Sequence, residues 1–290
     1  MSSTPDLSPV LRSYFDAINS ERYGDVAELF SDDGELAAPG TPPRRGMAEI
    51  TDYYRAALAP YPEHEDVPTR LLTCGRTATV EIHFSGALAS GVGIEFDALD
   101  VFDFDEQARI VRLTSWYDSH DVRTRLRAAR GARSVAPLIP GGAEPRGASS
   151  GDGASGPPNP EATVHAFLGA LDAKRYDEVV GLFTDQADLR APGIPPLLGR
   201  EELEGYFRTA MRPYDASHTE ATRIIVAGST VTVEVRFVGT LSSGAPLAFD
   251  GVDVFDLDDQ GSIVSMSSWY DSHDVRARLR TALQPSAAQP

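Results

Sequence analysis

Asp100 and Asp253 are the residues of this chain best placed to do chemistry. Asp100 alternates along one strand face with Phe96, Ala98 and Phe102, and Asp253 does the same with Phe249, Gly251 and Phe255. A carboxyl flanked on one face by apolar side chains needs either a partner or a proton, because desolvation disfavours its charged form. Protonated, it could donate a hydrogen bond to an oxygen that gains charge; ionised, it could act as a general base. A second group, Trp116-Tyr117-Asp118-Ser119-His120-Asp121-Val122-Arg123, holds Asp and His side by side. Neighbours on a strand face opposite ways, so adjacency alone builds no catalytic pair. Asp118 reads instead as a helix N-cap, with Asp121 in the capping-box position. His120 and His273 then fall on an exposed first turn that could serve an interface. Asp118, His120 and Asp121 give too few ligands of fixed geometry, and there is no HxxxH pair or Cys cluster, so no metal is expected.

The same eight residues return as Trp269 to Arg276, an offset of 153 that also maps Gly46 to Gly199, Glu81 to Glu234 and Asp100 to Asp253. A register held without insertion over most of two halves means duplicated domains, each large enough for its own core. The length of 290 residues agrees. Between the copies, residues 131–160 are dominated by Gly, Pro, Ser and Ala, a composition expected of a mobile linker. The expected organisation is a domain over 1–130, a linker over 131–160, a domain over 161–284 and a flexible tail over 285–290.

Composition narrows the function classes. Lys+Arg 26 against Asp+Glu 43 leaves a net charge of −17, which argues against nucleic acid and against an anionic membrane surface. No apolar run approaches a bilayer span, and the N-terminus has neither the basic start nor the apolar core of a secretion signal. The cytoplasm is the expected address. Cys74 is the single cysteine, which removes internal disulfides. Arginine far outnumbers lysine, and Ala, Gly and Pro are abundant, as in a high-GC bacterial gene.

The elements that must position the acids follow from periodicity. Leu7, Val10, Leu11, Tyr14, Phe15 and Ile18 form one face of an amphipathic helix. A short helix is expected from Tyr23 to Phe30 and a third from about Met47 to Leu58. Pro39-Gly40-Thr41-Pro42-Pro43 must be an irregular turn. Then Val80, Ile82 and Phe84 alternate with Thr79, Glu81 and His83, Gly86 to Gly93 suits a long hairpin loop, and Ile110 to Tyr117 reads as a last strand. Whichever face is apolar should line the interior, which leaves Glu81, Glu234 and His83 on the outer sheet surface. Helices first and an antiparallel meander afterwards is an α+β pattern.

These stretches resemble the NTF2-like, or SnoaL-like, cone fold: Tyr14-Phe15, Phe30-Ser31-Asp32-Asp33, the Pro39 to Gly46 turn, and Asp97 to Phe102 with Asp105-Glu106. The resemblance implies two tandem cone domains, each with N-terminal helices packed on a curved antiparallel sheet. It also implies a sheet-to-sheet pseudo-dimer of the two domains within one chain, open to further homo-oligomerisation. By the same resemblance Tyr14 matches an oxyanion-hole tyrosine and Asp100 its protonated aspartate partner. Three positions depart from the family's patterns. Ala38 and Ala191 stand where isomerases and polyether epoxide-opening cyclases carry an aspartate base. Arg55 and Arg208 stand where such cyclases have a glutamate, and Ser115 and Ser268 where limonene-type epoxide hydrolases have an aspartate.

The copies also differ from each other. Tyr14 and Tyr54 become Phe167 and Phe207, so the first copy is the expected seat of chemistry. Asp100 and Tyr14 are the catalytic candidates. Tyr54, Ser115, Tyr117, Phe96 and Phe102, with Asp253, Ser268 and Tyr270 in the second copy, are the candidates for lining the cavities. The expected activity is cofactor-free proton transfer, a cyclase or isomerase acting on an apolar, oxygenated, polyketide-type molecule. The alternative is a non-catalytic ligand-binding or scaffold protein that kept the cavity after losing the base.

Overall fold

The computed structural model describes residues 6–131 and 159–282, and the chain divides into two compact units, Met1–Ser150 and Gly151–Pro290. Apart from Gly131, Asn159 and Pro160, the expected linker lies outside the described residues, as does the tail over 285–290.

Unit 1 runs α1 (Ser8–Asn19), α2 (Tyr23–Glu28), β1 (Phe30–Ala37), β2 (Arg44–Arg45), α3 (Gly46–Leu58), β3 (Glu63–Cys74), β4 (Thr77–Ala87), β5 (Gly93–Phe104), β6 (Ile110–Tyr117) and α4 (Ser119–Gly131). Unit 2 repeats this as α5 (Pro160–Asp172), α6 (Tyr176–Gly181), β7 (Phe183–Arg190), β8 (Leu197–Leu198), α7 (Gly199–Met211), β9 (Tyr214–Ala227), β10 (Thr230–Leu241), β11 (Pro246–Leu257), β12 (Ile263–Tyr270) and α8 (Ser272–Ala282). The sheet orders are β2-β1-β6-β5-β4-β3 and β8-β7-β12-β11-β10-β9. The architecture is α+β, with the same fold built twice.

Three local expectations need correction. The second helix stops at Glu28, and Phe30 opens a strand rather than closing a helix. That strand pairs with β6 in parallel, Phe30 beside Ile110 and Leu36 beside Leu113, so each sheet is mixed rather than wholly antiparallel. The hairpin loop expected over Gly86–Gly93 is shorter at both ends: Gly86 pairs with Ile94 and Ala87 with Gly93, leaving Leu88 to Val92 as the turn.

The core of unit 1 lies between the helices and the inner face of its sheet. Leu11, Tyr14, Phe15 and Ile18 of α1 meet Val80, Ile82 and Phe84 of β4 and Phe102 of β5 in one continuous cluster. In unit 2 the corresponding core is divided. Phe255 belongs to a cluster under α5 and α7, whereas Phe249 packs against another built on Met211, Tyr214, Phe237 and Leu247. Asp253 and Gly251 lie on β11 between those two phenylalanines, at the seam.

The Pro-Gly turn is held by the last helix. Gly40 has φ of +72°, and a Cβ there would sit 2.0 Å from the Arg123 guanidinium. Gly193 and Arg276 repeat the contact, with φ of +77° and 1.9 Å. Only glycine fits such a left-handed residue under a guanidinium, which accounts for the duplicated Gly and Arg.

Candidate functional site

β5 carries Asp100 into the interior of unit 1, where it is paired across the sheet with Val80 on one side and Ser115 on the other. Only 4% of the residue is exposed, and its Oδ1 is buried with no hydrogen-bond partner among the described residues. Burial pushes its pKa up to about 7, the Ser115 hydrogen bond works against that rise, and the charge of Asp66 adds to it. Phe102 is the next residue on the same face in one direction, and Phe96 lies beyond Ala98 in the other. The Phe102 ring meets Tyr14 edge-on at 5.1 Å, and Phe96 lies 5.3 Å from Tyr117.

Tyr14 reaches this interior from α1 and Tyr54 from α3. Their hydroxyls share a buried hydrogen bond of 2.6 Å. Burial holds both phenols well above the ordinary tyrosine range; the other phenol, then Asp100, raises Tyr14 further, and Asp100 does the same to Tyr54. Tyr14 thus bonds its neighbouring tyrosine, while the hydroxyl bonded to Asp100 is that of Ser115. The structure gathers Asp100, Tyr14, Tyr54, Ser115, Tyr117, Phe96 and Phe102 on the inner side of unit 1. Asp253, Ser268 and Tyr270 occupy the matching places in unit 2, where the Ser268 hydroxyl donates to Asp253 at 2.6 Å. Burial raises the Asp253 pKa to about 6 against that bond.

Two residues of this interior escaped the sequence reading. Tyr53 stacks edge-on against Tyr54 at 5.2 Å, and burial, then the charges of Tyr117 and Asp100, push its phenol up. Tyr206 repeats it with Tyr270 and Asp253. Its signal was present in the sequence, since Tyr53 is kept as Tyr206 at the 153-residue offset while Tyr54 is not kept.

The other is Asp66. It lies on β3 directly opposite Phe84, so it shares the inner face of the sheet. Asn19 fixes its backbone twice: the Asp66 N–H donates to Asn19 Oδ1 at 2.8 Å, and Asn19 Nδ2 donates to the Asp66 carbonyl at 3.0 Å. Burial raises its pKa to about 6, and the charge of His64 holds that rise back. Its own charge is felt by Asp100, Tyr14, Tyr53 and Tyr54. Unit 2 has Thr219 in its place, with Asp172 accepting from the Thr219 N–H at 2.9 Å. Unit 1 therefore holds two carboxyls in one interior, and unit 2 has a single counterpart.

Toward the outside, Tyr53 also lines a groove of about 470 Å³ with Thr41, Arg44, Glu49, Asp52, Ala56 and Ala57. The duplicated Asp118 and Asp271 are caps, accepting from the N–H groups of Asp121 and Asp274 at 3.1 Å. Among the described residues there is no group of three metal-ligating side chains, and no helix is long and apolar enough to cross a membrane.

Comparison with known proteins places this geometry in a family. The SnoaL-like domain profile matches twice, over residues 11–113 and 164–266. Among curated proteins there is no match. The solved structures named below each cover less than half of this chain. An LEH-like epoxide hydrolase of M. tuberculosis is 23% identical, with 43% of this chain and 91% of that one covered and a TM-score of 0.37. A hypothetical protein of ketosteroid isomerase-like fold from Catenulispora acidiphila DSM 44928, in complex with trimethylamine, is 20% identical over 46% of this chain and 99% of that one, with a TM-score of 0.38. SalBIII, described as an epoxide hydrolase/cyclase-like enzyme in pyran ring formation in the polyether salinomycin, is 21% identical over 40% and 92%, with a TM-score of 0.37. The chain belongs to the SnoaL-like domain family, whose fold it carries twice.

Proposed function

We propose that unit 1 is a cofactor-free proton-transfer catalyst acting on an apolar, oxygenated small molecule, a cyclase or isomerase by reaction type. The observation that carries this reading is the unpartnered, buried Oδ1 of Asp100 in an interior that also receives the charge of Asp66. Burial raises Asp66 to about 6 and Asp100 to about 7, and the charge of Asp66 favours the protonated form of Asp100, so the two together hold one proton near neutral pH. In that state Asp66 is the carboxylate and Asp100 the acid. Asp66 takes a proton from a substrate C–H or O–H. Asp100 gives its proton to the carbonyl or epoxide oxygen on which charge develops, so the pair's proton count is unchanged and only its distribution differs. Asp66 thereby supplies the base that Ala38 cannot. Ser115 orients the acid through its hydrogen bond, the Tyr14–Tyr54 pair lines the same interior, and Phe96, Phe102 and Tyr117 exclude water.

A polyketide-type substrate suits the aromatic lining, and cyclisation and isomerisation share this first proton transfer. Unit 2, with Thr219, Phe167 and Phe207, keeps the shape and lacks both the second acid and the paired hydroxyls. It is proposed to bind or to support rather than to react.

A substrate-independent assay tests the catalytic reading. Apolar cyclic ketones incubated with the protein in D2O should gain deuterium next to the carbonyl faster than with buffer alone, and Asp66→Asn should remove that gain. The second reading, a non-catalytic ligand carrier, rests on the alanines at 38 and 191. It would take over if wild-type protein bound such ketones without speeding exchange of ketones or ring opening of apolar epoxides.

A further inference from the structure

The groove outside Tyr53 holds an arginine, Arg44, whose Nε has no hydrogen-bond partner among the described residues. Arg44 stands at the end of the Pro-Gly turn, paired in β2 with Leu36, and that Nε is buried. Glu49 and Asp52 line the same groove, and the bonds they and Glu35 make go to groups other than the Arg44 side chain. Glu49 accepts from the Arg45 N–H at 3.0 Å, Glu35 pairs with the Arg45 guanidinium at 2.6 Å, and Asp52 pairs with Arg55 at 2.6 Å. A guanidinium cannot shed its proton, so a buried unpaired donor on it is a standing cost unless a ligand supplies the acceptor.

The position of Arg44 relates it to the interior. Its charge acts on Tyr53, the same phenol that is raised by Asp100 and Tyr117. The groove and the cone thus meet at one side chain. Unit 2 keeps the tyrosine as Tyr206 but has Leu197 in place of Arg44, so the charge is a feature of unit 1 alone.

We infer that the groove is a carboxylate subsite: the substrate of unit 1 is an apolar molecule whose body enters the cone and whose carboxylate rests on Arg44, outside Tyr53. The planar fork of arginine suits two-point recognition of that group. The inference rests on the proposed function in one respect, that the cone of unit 1 takes an apolar ligand.

Two fluorescent probes separate the claims: 11-(dansylamino)undecanoic acid and its methyl ester, titrated into the full chain. The acid should bind wild-type protein at least about tenfold more tightly than the ester, as expected for a charge-assisted hydrogen bond. Arg44→Leu, which installs the residue of unit 2, should abolish that preference while moving ester affinity less than about twofold. Arg44→Gln carries the same comparison should leucine disturb the turn. Equal binding of acid and ester by wild type, or a preference that survives both substitutions, would overturn the subsite and leave the cone reading intact. Failure of wild-type protein to bind either probe would overturn both.

Discussion

The hydroxyls of Tyr14 and Tyr54 lie 2.6 Å apart inside unit 1, whereas their counterparts Phe167 and Phe207 meet ring to ring at 5.6 Å. One unit has a buried polar pair where the other has a dry contact. Removing one member leaves a buried hydroxyl without a partner, which costs about 1–3 kcal/mol, whereas removing both can be nearly neutral. Tyr14→Phe or Tyr54→Phe alone should therefore destabilise unit 1 by that amount, and the double variant should recover most of the loss. Denaturant unfolding of the four proteins in a double-mutant cycle checks it; additive losses would show that the two hydroxyls are not coupled.

Stability should fall as pH rises. Asp100 is raised to about 7 and Asp66 to about 6, against about 3.8 for an ordinary aspartate. In that window the native state holds protons that the unfolded chain has released. The contribution is fully present below about pH 4 and is lost as pH climbs through the native pKa values, at about 1.4 kcal/mol per pH unit for each such group. Unfolding free energies at pH 5 and pH 8 should show the decline, and Asp100→Asn should flatten it. A slope unchanged in Asp100→Asn would mean that Asp100 is ionised in the folded protein at both pH values.

The turn that shapes the mouth of each unit depends on glycine. Gly40→Ala places a methyl group in the Arg123 guanidinium and forces alanine to φ of +72°. A loss of about 1–3 kcal/mol is expected. Gly24→Ala, in α2 with open space around the added carbon, should be neutral or slightly stabilising. Equal effects of the two changes, read by thermal unfolding, would count against the packing described for Arg123.

Sequence and structure agree where the signal is local. The spacing of Leu11, Tyr14, Phe15 and Ile18 defined the buried face of α1, and Asp118 reads as a cap because its bonds span three residues. What was not legible depends on pairing between distant segments. Phe30 looked helical because its strand partner, Ile110, is 80 positions away. Asp66 sits in a polar run, Glu63 to Asp66, that alone reads as solvated chain; its inward face is set by the ladder opposite Phe84. Tyr53 was readable by another route, through its retention as Tyr206. A vacant base position at Ala38 says little about function until the strand across the cavity is known.

The central claim is that chemistry belongs to unit 1 and runs through Asp100, with Asp253 in a supporting place. The most direct measurement is deuterium exchange into an apolar cyclic ketone by Asp100→Asn and Asp253→Asn, each shown to be folded by circular dichroism. Losing the acid that meets the developing charge should cost about 10²–10³ in rate for Asp100→Asn. Asp253→Asn should stay within about threefold of wild type, its side chain acting on binding or stability alone. Equal losses from the two substitutions would contradict the account and assign catalysis to both units.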